Sequence, residues 1–230
     1  MNTSLSVTLL NHTADPERAI ATAARLCYAP LGAAELMESM TEEQVNKVLA
    51  TIMKSGHHSA LEHASYTFAI DGVSRALTHQ LVRHRLASFN QQSQRYVTYS
   101  AKPEIVTPPS VETNAELKSV FDAAIENTYQ TYAALVEAGI PAEDARYVLP
   151  NACISKIVVT MNIRELLHFF SLRCCRRAQW EIQELGNRML ELCVPTAPYI
   201  FMDAGAPCVR GACPEGKMTC GDPFDKAVRA

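Results

Sequence analysis

From Arg83 to Tyr96 the chain reads Arg-His-Arg-Leu-Ala-Ser-Phe-Asn-Gln-Gln-Ser-Gln-Arg-Tyr. A stretch this dense in guanidinium, imidazole, amide and hydroxyl groups is not expected to fold into a core. Its donors are expected to face water or something anionic and planar. The chain as a whole carries a formal charge of −3, so the positive charge here is local. That balance argues against a protein that binds nucleic acid over its whole surface, because such domains are usually strongly basic.

The 230 residues fit one large domain with a short appendage, and 48% apolar residues suffice for a substantial core. Eight cysteines raise the possibility of a secreted disulfide scaffold. Against it, Met1 to Glu17 has no basic start and too short an apolar run for a signal peptide. The thiols are therefore expected to be reduced and the location cytoplasmic. No run approaches the length of a membrane span.

Local signals place the elements. Asp15-Pro16-Glu17 opens a helix to about Cys27, with a break at Pro30 and Gly32. Thr41 and Gln44 form a capping box for a second helix that Gly56 ends. Tyr66, Phe68 and Ile70 alternate with Ser65, Thr67 and Ala69 as in a half-buried strand, which Asp71-Gly72 should end. Ser74 caps a helix running out near Arg83 to Arg85. Thr113 with Glu116 should cap a long helix whose face is Leu117, Phe121, Ala124, Thr128, Tyr132 and Leu135, with Gly139 closing it. A turn or two of helix follows Pro141. A strand is expected over 157–161, a helix from Asn162, and another from about Ala178 to Cys193. After Phe201 the Gly/Pro/Cys-rich chain should have little regular structure.

Four groups of residues suggest chemistry. In the first, Gln80, Arg83 and His84 share a helical face, and an arginine fork grips phosphate bidentately. Helix-end electrostatics would account for Arg83 and Arg85, but not for Asn90, Gln91, Ser93 and Arg95. The second is His57, His58 and His63, with Ser59 and Glu62 as a capping box. Their spacing puts no histidine pair on one helical face, so no metal is expected. The third is a polar stripe of Arg164, His168 and Ser171 opposite Leu166, Phe169, Phe170 and Leu172, which is also what a solvated helix face looks like. The fourth is Cys174 and Cys175 among Arg173, Arg176 and Arg177, read as small buried residues. Cys208, Cys213 and Cys220 lack the paired spacing of a zinc ribbon.

Arg-His-Arg followed after seven residues by Ser93 resembles the signature of the flavin-dependent thymidylate synthases. Gly56-His57 through Leu61-Glu62-His63, Ala145-Arg146-Tyr147-Val148-Leu149-Pro150, Asn162 to Arg173 and Ala178-Gln179-Trp180-Glu181-Ile182 are similar to further elements of that family. The resemblance covers roughly residues 5 to 200 in order. It implies an α+β fold with an antiparallel sheet flanked by helices, in a single domain over 1–205. A Cys/Gly/Pro-rich tail over 206–230 lies outside that domain. The family assembles as a homotetramer with one FAD per subunit, in active sites at subunit interfaces. It methylates dUMP to dTMP, using 5,10-methylenetetrahydrofolate as carbon donor and NADPH as reductant.

Carried over, Gln80, Leu81, Val82, Arg83, Gln91, Gln92, Ser93, Gln94 and Arg95, with Arg146 and Arg173, would hold dUMP. His57, Ser59, Arg83, His84, Arg85, Gln91, Asn162, Ile163, Arg164 and His168 would hold FAD. Arg173 would face the uracil ring and favour its N3-ionised form, since a fixed guanidinium stabilises charge developing there. Ser93 would donate a hydrogen bond to the nucleotide, because a serine nucleophile needs a dedicated base. No enzyme thiolate is implied, and neither a nucleic-acid nor a membrane partner. Two departures stand out: Gln91 where the family commonly has Glu, and His168 where Asn is common. From the residues alone, two rivals remain. One is a nucleotide- or RNA-binding module that uses the Arg83 to Arg95 segment as a phosphate clamp. The other is a redox protein working through the cysteine tail.

Overall fold

The computed structural model describes residues 5–224. Along the chain run β1 (Ser6–His12), α1 (Pro16–Leu26), α2 (Ala33–Ser39), α3 (Glu42–Ser55), a 3₁₀ helix (His58–His63), β2 (Ser65–Ser74), α4 (Arg75–Leu81) and β3 (Ala87–Gln91). Then follow α5 (Pro109–Glu112), α6 (Ala115–Glu137), α7 (Ala142–Ala145), β4 (Ile154–Asn162), α8 (Ile163–Arg173), α9 (Trp180–Cys193) and α10 (Pro198–Phe201). The four strands form one sheet in the order β1-β2-β4-β3. Its pairings run antiparallel: Ile163 N–H donates to Ala64 C=O, and at the opposite ends of β2 and β4 Arg75 N–H donates to Cys153 C=O. Secondary structure is thus α+β, as expected.

By its internal contacts the chain divides into two compact units. One comprises residues 5–6, 70–83 and 89–158, and the other 7–69, 84–88 and 159–224. In the second unit α1 packs on α3 and α8 on α9. Its buried side chains include Ile20, Leu49, Leu61, Phe68, Phe169, Ile182 and Met189, each contributing about 1.5–3 kcal/mol by leaving water. Tyr66 stands edge-on to Phe201 and its hydroxyl bonds Thr196 at 2.7 Å. Burial pushes this phenol up to about 12. In the first unit Val73, Leu77, Leu81, Ile125, Tyr132 and Ile157 are buried.

Most end signals act as expected. Asp15 caps α1, the Thr41–Gln44 box caps α3, Gly56 ends it at φ +73°, Ser74 caps α4 and Asn162 caps α8. Several expectations are corrected. β2 does not stop at Asp71-Gly72 but runs on to Ser74, with Gly72 at φ +73°, a left-handed conformation that glycine adopts without steric cost. Asn114, not Thr113, caps α6 by accepting from Leu117 N–H. Ser59 and Glu62 form no capping box: the segment is 3₁₀, and Glu62 instead meets Arg164. The last expected helix begins at Trp180, where Gln179 accepts from the N–H groups of Glu181 and Ile182. β1, α2, β3, α5 and α10 were not anticipated. Of the expected α6 face, only Tyr132 is buried, and Leu117 is exposed.

Among its described residues the tail has only two 3₁₀ turns, Pro207–Val209 and Gly216–Met218. It nevertheless packs into the second unit: Ala204, Ala206 and Val209 are buried, and Arg177 pairs with Glu215 at 2.9 Å. Cys175, Cys208, Cys213 and Cys220 line one cavity of about 250 Å³ there. All eight cysteines are free thiols.

Candidate active site

The residues expected at the nucleotide, Arg173 excepted, lie in the first unit. α4 ends at Leu81, and Arg83 N–H closes the turn on Gln80 C=O at 3.3 Å. Arg83 and Val82 are exposed, whereas Leu81 is fully buried and can offer a ligand only its backbone. β3 then carries the chain to Gln91, whose Nε2 donates to Thr78 Oγ1 at 3.0 Å and to Ser155 Oγ at 2.9 Å. Gln92 N–H pairs with Lys156 C=O. Ser93 Oγ accepts from Arg95 N–H at 3.1 Å, a local cap that leaves the hydroxyl hydrogen to be donated elsewhere. Gln94 Nε2 is buried without a hydrogen-bond partner, a donor for which a bound polar group would be the natural acceptor.

Arg95 and Arg146 come together at α7. Arg95 Nε pairs with the Glu143 carboxylate, and Arg146 Nε donates to the Glu143 carbonyl at 3.0 Å. One residue therefore anchors two guanidinium groups by their inner nitrogens, and the outer nitrogens supply the forks that anions bind. Tyr96 and Tyr147, their sequence neighbours, are 80% and 84% exposed.

The second unit holds the rest. His57 and Ser59 sit exposed at the start of the 3₁₀ helix, and Arg85 is exposed beyond α4. Asn162 is used by α8 itself, its Oδ1 accepting from Glu165 N–H at 2.9 Å. Ile163 is fully buried, and Arg164 reaches Glu62. Arg164 and His168 line an open cavity of about 1110 Å³ together with Lys54, His58, Leu86, Met202 and Arg210.

The expectation that nothing in the Arg83 to Tyr96 stretch enters a core is corrected at His84. This side chain is buried, with Nδ1 at 3.0 Å from Glu165 Oε1 and Nε2 accepting from Arg173 Nε at 3.1 Å. Its ring lies edge-on to Phe169 at 4.9 Å and 5.8 Å from His168. Burial pushes the imidazole below its ordinary range, and the charges of Arg173 and His168 push the same way against the pull of Glu165. Burial also lowers Arg173, which stays a cation because arginine does not deprotonate in proteins.

Sequence reasoning missed Glu165 and Glu143. Glu165, Phe169 and Arg173 recur at i, i+4 and i+8, one stripe of α8 that the polar stripe of Arg164 and His168 overshadowed. Glu143 carried no signal beyond its place two residues before Ala145. Among the thiols, burial pushes Cys153 up to about 11 and raises Cys193 further, so neither is a poised nucleophile. Among the described residues no three of His, Cys, Asp and Glu are arranged to hold a metal ion.

Comparison with known proteins places these residues in a family. Residues 8–199 match the family described as thymidylate synthase complementing protein. A flavin-dependent thymidylate synthase of Geobacter sulfurreducens is 56% identical over 219 residues, covering 94% of each chain. Those of Clostridium tetani and Pyrococcus abyssi are 48% and 44% identical, covering 94% and 92% of this chain and 93% and 90% of their own. Among solved structures, a UMP/dUMP methylase PolB from Streptomyces cacaoi, bound with 5-Br dUMP, superposes with a TM-score of 0.74. It is 26% identical, covering 87% of this chain and 94% of its own. With the family match spanning most of its length and close relatives covering nearly all of it, the chain belongs to the flavin-dependent thymidylate synthases.

Proposed function

We propose that this protein converts dUMP to dTMP by reductive methylation. The carbon comes from 5,10-methylenetetrahydrofolate and the reducing equivalents from NADPH through FAD. The names of the relatives and of the dUMP methylase support this reading and give none to a nucleic-acid-binding module. The observation that carries it is the Glu143 anchor, which pairs Arg95 with Arg146 beside Ser93 and the unpartnered Gln94 amide. Two outward forks suit a nucleotide phosphate, and an amide and a hydroxyl suit its sugar or base.

The cavity of the second unit has the chemistry a flavin dinucleotide requires. Lys54, Arg164 and Arg210 offer charge to a pyrophosphate, and Leu61, Leu86, Leu167 and Met202 offer apolar wall to a ring. When bound there, FAD supplies the hydride chemistry. Arg173, fixed through its Nε, stabilises negative charge on the uracil edge and so raises the nucleophilicity of the ring. Arg83, Arg95 and Arg146 bind and orient the phosphate, and Ser93 donates to the nucleotide. Gln80, Gln91 and Gln92 contribute through their backbone or amide groups.

We further propose a homotetramer with its active sites between subunits. In one chain Leu117 and Val120 of α6 and the aromatic rings of Tyr96 and Tyr147 stand exposed, a surface that association would cover. Residues 1–205 would form the synthase domain and 206–230 a tail outside it, with a cytoplasmic location. No helix among the described residues is long and apolar enough to cross a membrane.

The test is the purified chain. It should show flavin absorbance, scatter light as a tetramer, and form dTMP only with dUMP, NADPH and methylenetetrahydrofolate all present. Arg173→Ala should keep its flavin and lose turnover by roughly 100-fold or more, the size of a lost preorganised donor. A chain that neither takes up FAD nor makes dTMP overturns the reading.

A further inference from the structure

The clamp around His84 assigns work to a residue that the family resemblance left without a role. Arginine only donates hydrogen bonds, so the 3.1 Å contact from Arg173 Nε requires a lone pair on His84 Nε2. The imidazole proton then sits on Nδ1 and is donated to Glu165 Oε1 at 3.0 Å. His84 and Glu165 are both buried, at 5% exposure each, so water cannot easily substitute for either partner. Both ends of the clamp come from one helix: Glu165 and Arg173 are two turns apart on α8, with Phe169 between them against the edge of the imidazole. Asn162 fixes the start of that helix at Glu165 N–H.

We propose that Glu165 is a positioning residue for the methylation: by holding the Nδ1–H tautomer of His84, it fixes the guanidinium plane of Arg173 at the uracil edge. The proposal rests on the reading that Arg173 acts on that ring. Its logic is donor against acceptor. Without the carboxylate, the Nε2–H tautomer becomes accessible, an N–H then faces the N–H of Arg173, and the guanidinium turns away. A flat pyrimidine edge reads a guanidinium by its plane, so the loss falls on turnover more than on affinity. Both nitrogens of His84 are thereby spent within the protein, and a flavin contact by this residue would run through its backbone or its ring carbons.

The experiment uses the full-length flavoprotein with ¹⁵N-labelled histidine and two variants, Glu165→Leu and Glu165→Gln. In the wild type the His84 signals should report the Nδ1–H tautomer at neutral pH. Glu165→Leu should lose that preference and lower kcat by roughly 10- to 100-fold, with flavin content and KM for dUMP within about 3-fold, a loss of orientation and not of binding. Glu165→Gln keeps an oxygen acceptor for Nδ1–H and should restore both the tautomer and most of kcat. Wild-type kcat in Glu165→Leu overturns the positioning role. So does a kcat loss in Glu165→Gln with the tautomer preserved. Should Glu165→Leu not fold, Glu165→Gln and the wild-type tautomer decide alone. A wild-type chain that makes no dTMP overturns the proposed function and this role with it, while the nitrogen signals still report whether the clamp exists.

Discussion

Gln91 donates to two hydroxyls, and the hydrogen of one of them is already committed: Thr78 Oγ1 donates to Arg75 C=O at 3.0 Å. Thr78 can therefore accept but not give, and position 91 must supply a donor. An amide does this and a carboxylate does not. Gln91→Glu, the residue commonly found here in the family, should thus destabilise this chain by about 1–3 kcal/mol at neutral pH, unless Thr78 is changed with it. Thermal unfolding should show the drop, and Gln91→Glu with Thr78→Val should show less of it; equal losses would refute the account. The same residue-scale view shows what was readable beforehand. The guanidinium, amide and hydroxyl inventory of Arg83 to Arg95 was plain. The burial of His84 was not, because its partner Glu165 is 81 positions away and no local pattern announces such a pair. Glu143 was silent for the same reason: its value lies in meeting Arg95 from another part of the chain.

Short elements divide into those whose ends are written in side chains and those made by their neighbours. α1, α3, α4 and α8 carry Asp15, Thr41, Ser74 and Asn162 as caps and were legible. α2 starts at Gly32 with no side-chain cap, and β3 is polar along most of its length, so only its place beside β4 makes it a strand. The face of α6 was misjudged because periodicity describes what a helix can bury, and one chain covers only part of it. Two tests belong at this scale. Asn162→Ala removes the cap that sets Glu165 and should cost about 1 kcal/mol, read as a lower midpoint in urea. Glu143→Leu removes the carboxylate that holds Arg95 at α7, while the main-chain carbonyl of residue 143 still accepts from Arg146. The pair is about half exposed, so the effect is modest: KM for dUMP should rise roughly 3- to 10-fold with flavin content unchanged. An unchanged KM would mean that the Arg95 fork is oriented by something else.

At the scale of the whole molecule, the candidate residues sort by unit. Gln80 to Arg83, Gln91 to Arg95 and Arg146 lie in the first; His57, Ser59, His84, Arg85, Asn162 to Arg164, His168 and Arg173 lie in the second. The buried clamp of the second unit links folding to pH. His84 is held below its ordinary range, first by burial and then by the charge of Arg173. In the unfolded chain the same histidine takes up a proton near pH 6.5, whereas the folded chain resists it. The unfolded state thus binds more protons as pH falls through about 6.5, and stability must fall with it. Above that range the histidine is neutral in both states and contributes no slope. Protonation of the folded state, which comes only further into the acid, would put a hydrogen on Nε2 and break its bond from Arg173, so turnover should hold through about pH 6.5 and decline below it. Melting temperatures between pH 5 and 8 measure the first effect, and kcat over the same interval measures the second. In His84→Gln the titrating group is gone, and the acid fall in melting temperature should be shallower than in the wild type whatever the absolute stability of the variant. An identical acid slope in the two proteins would show that the imidazole is not the group that couples protons to folding.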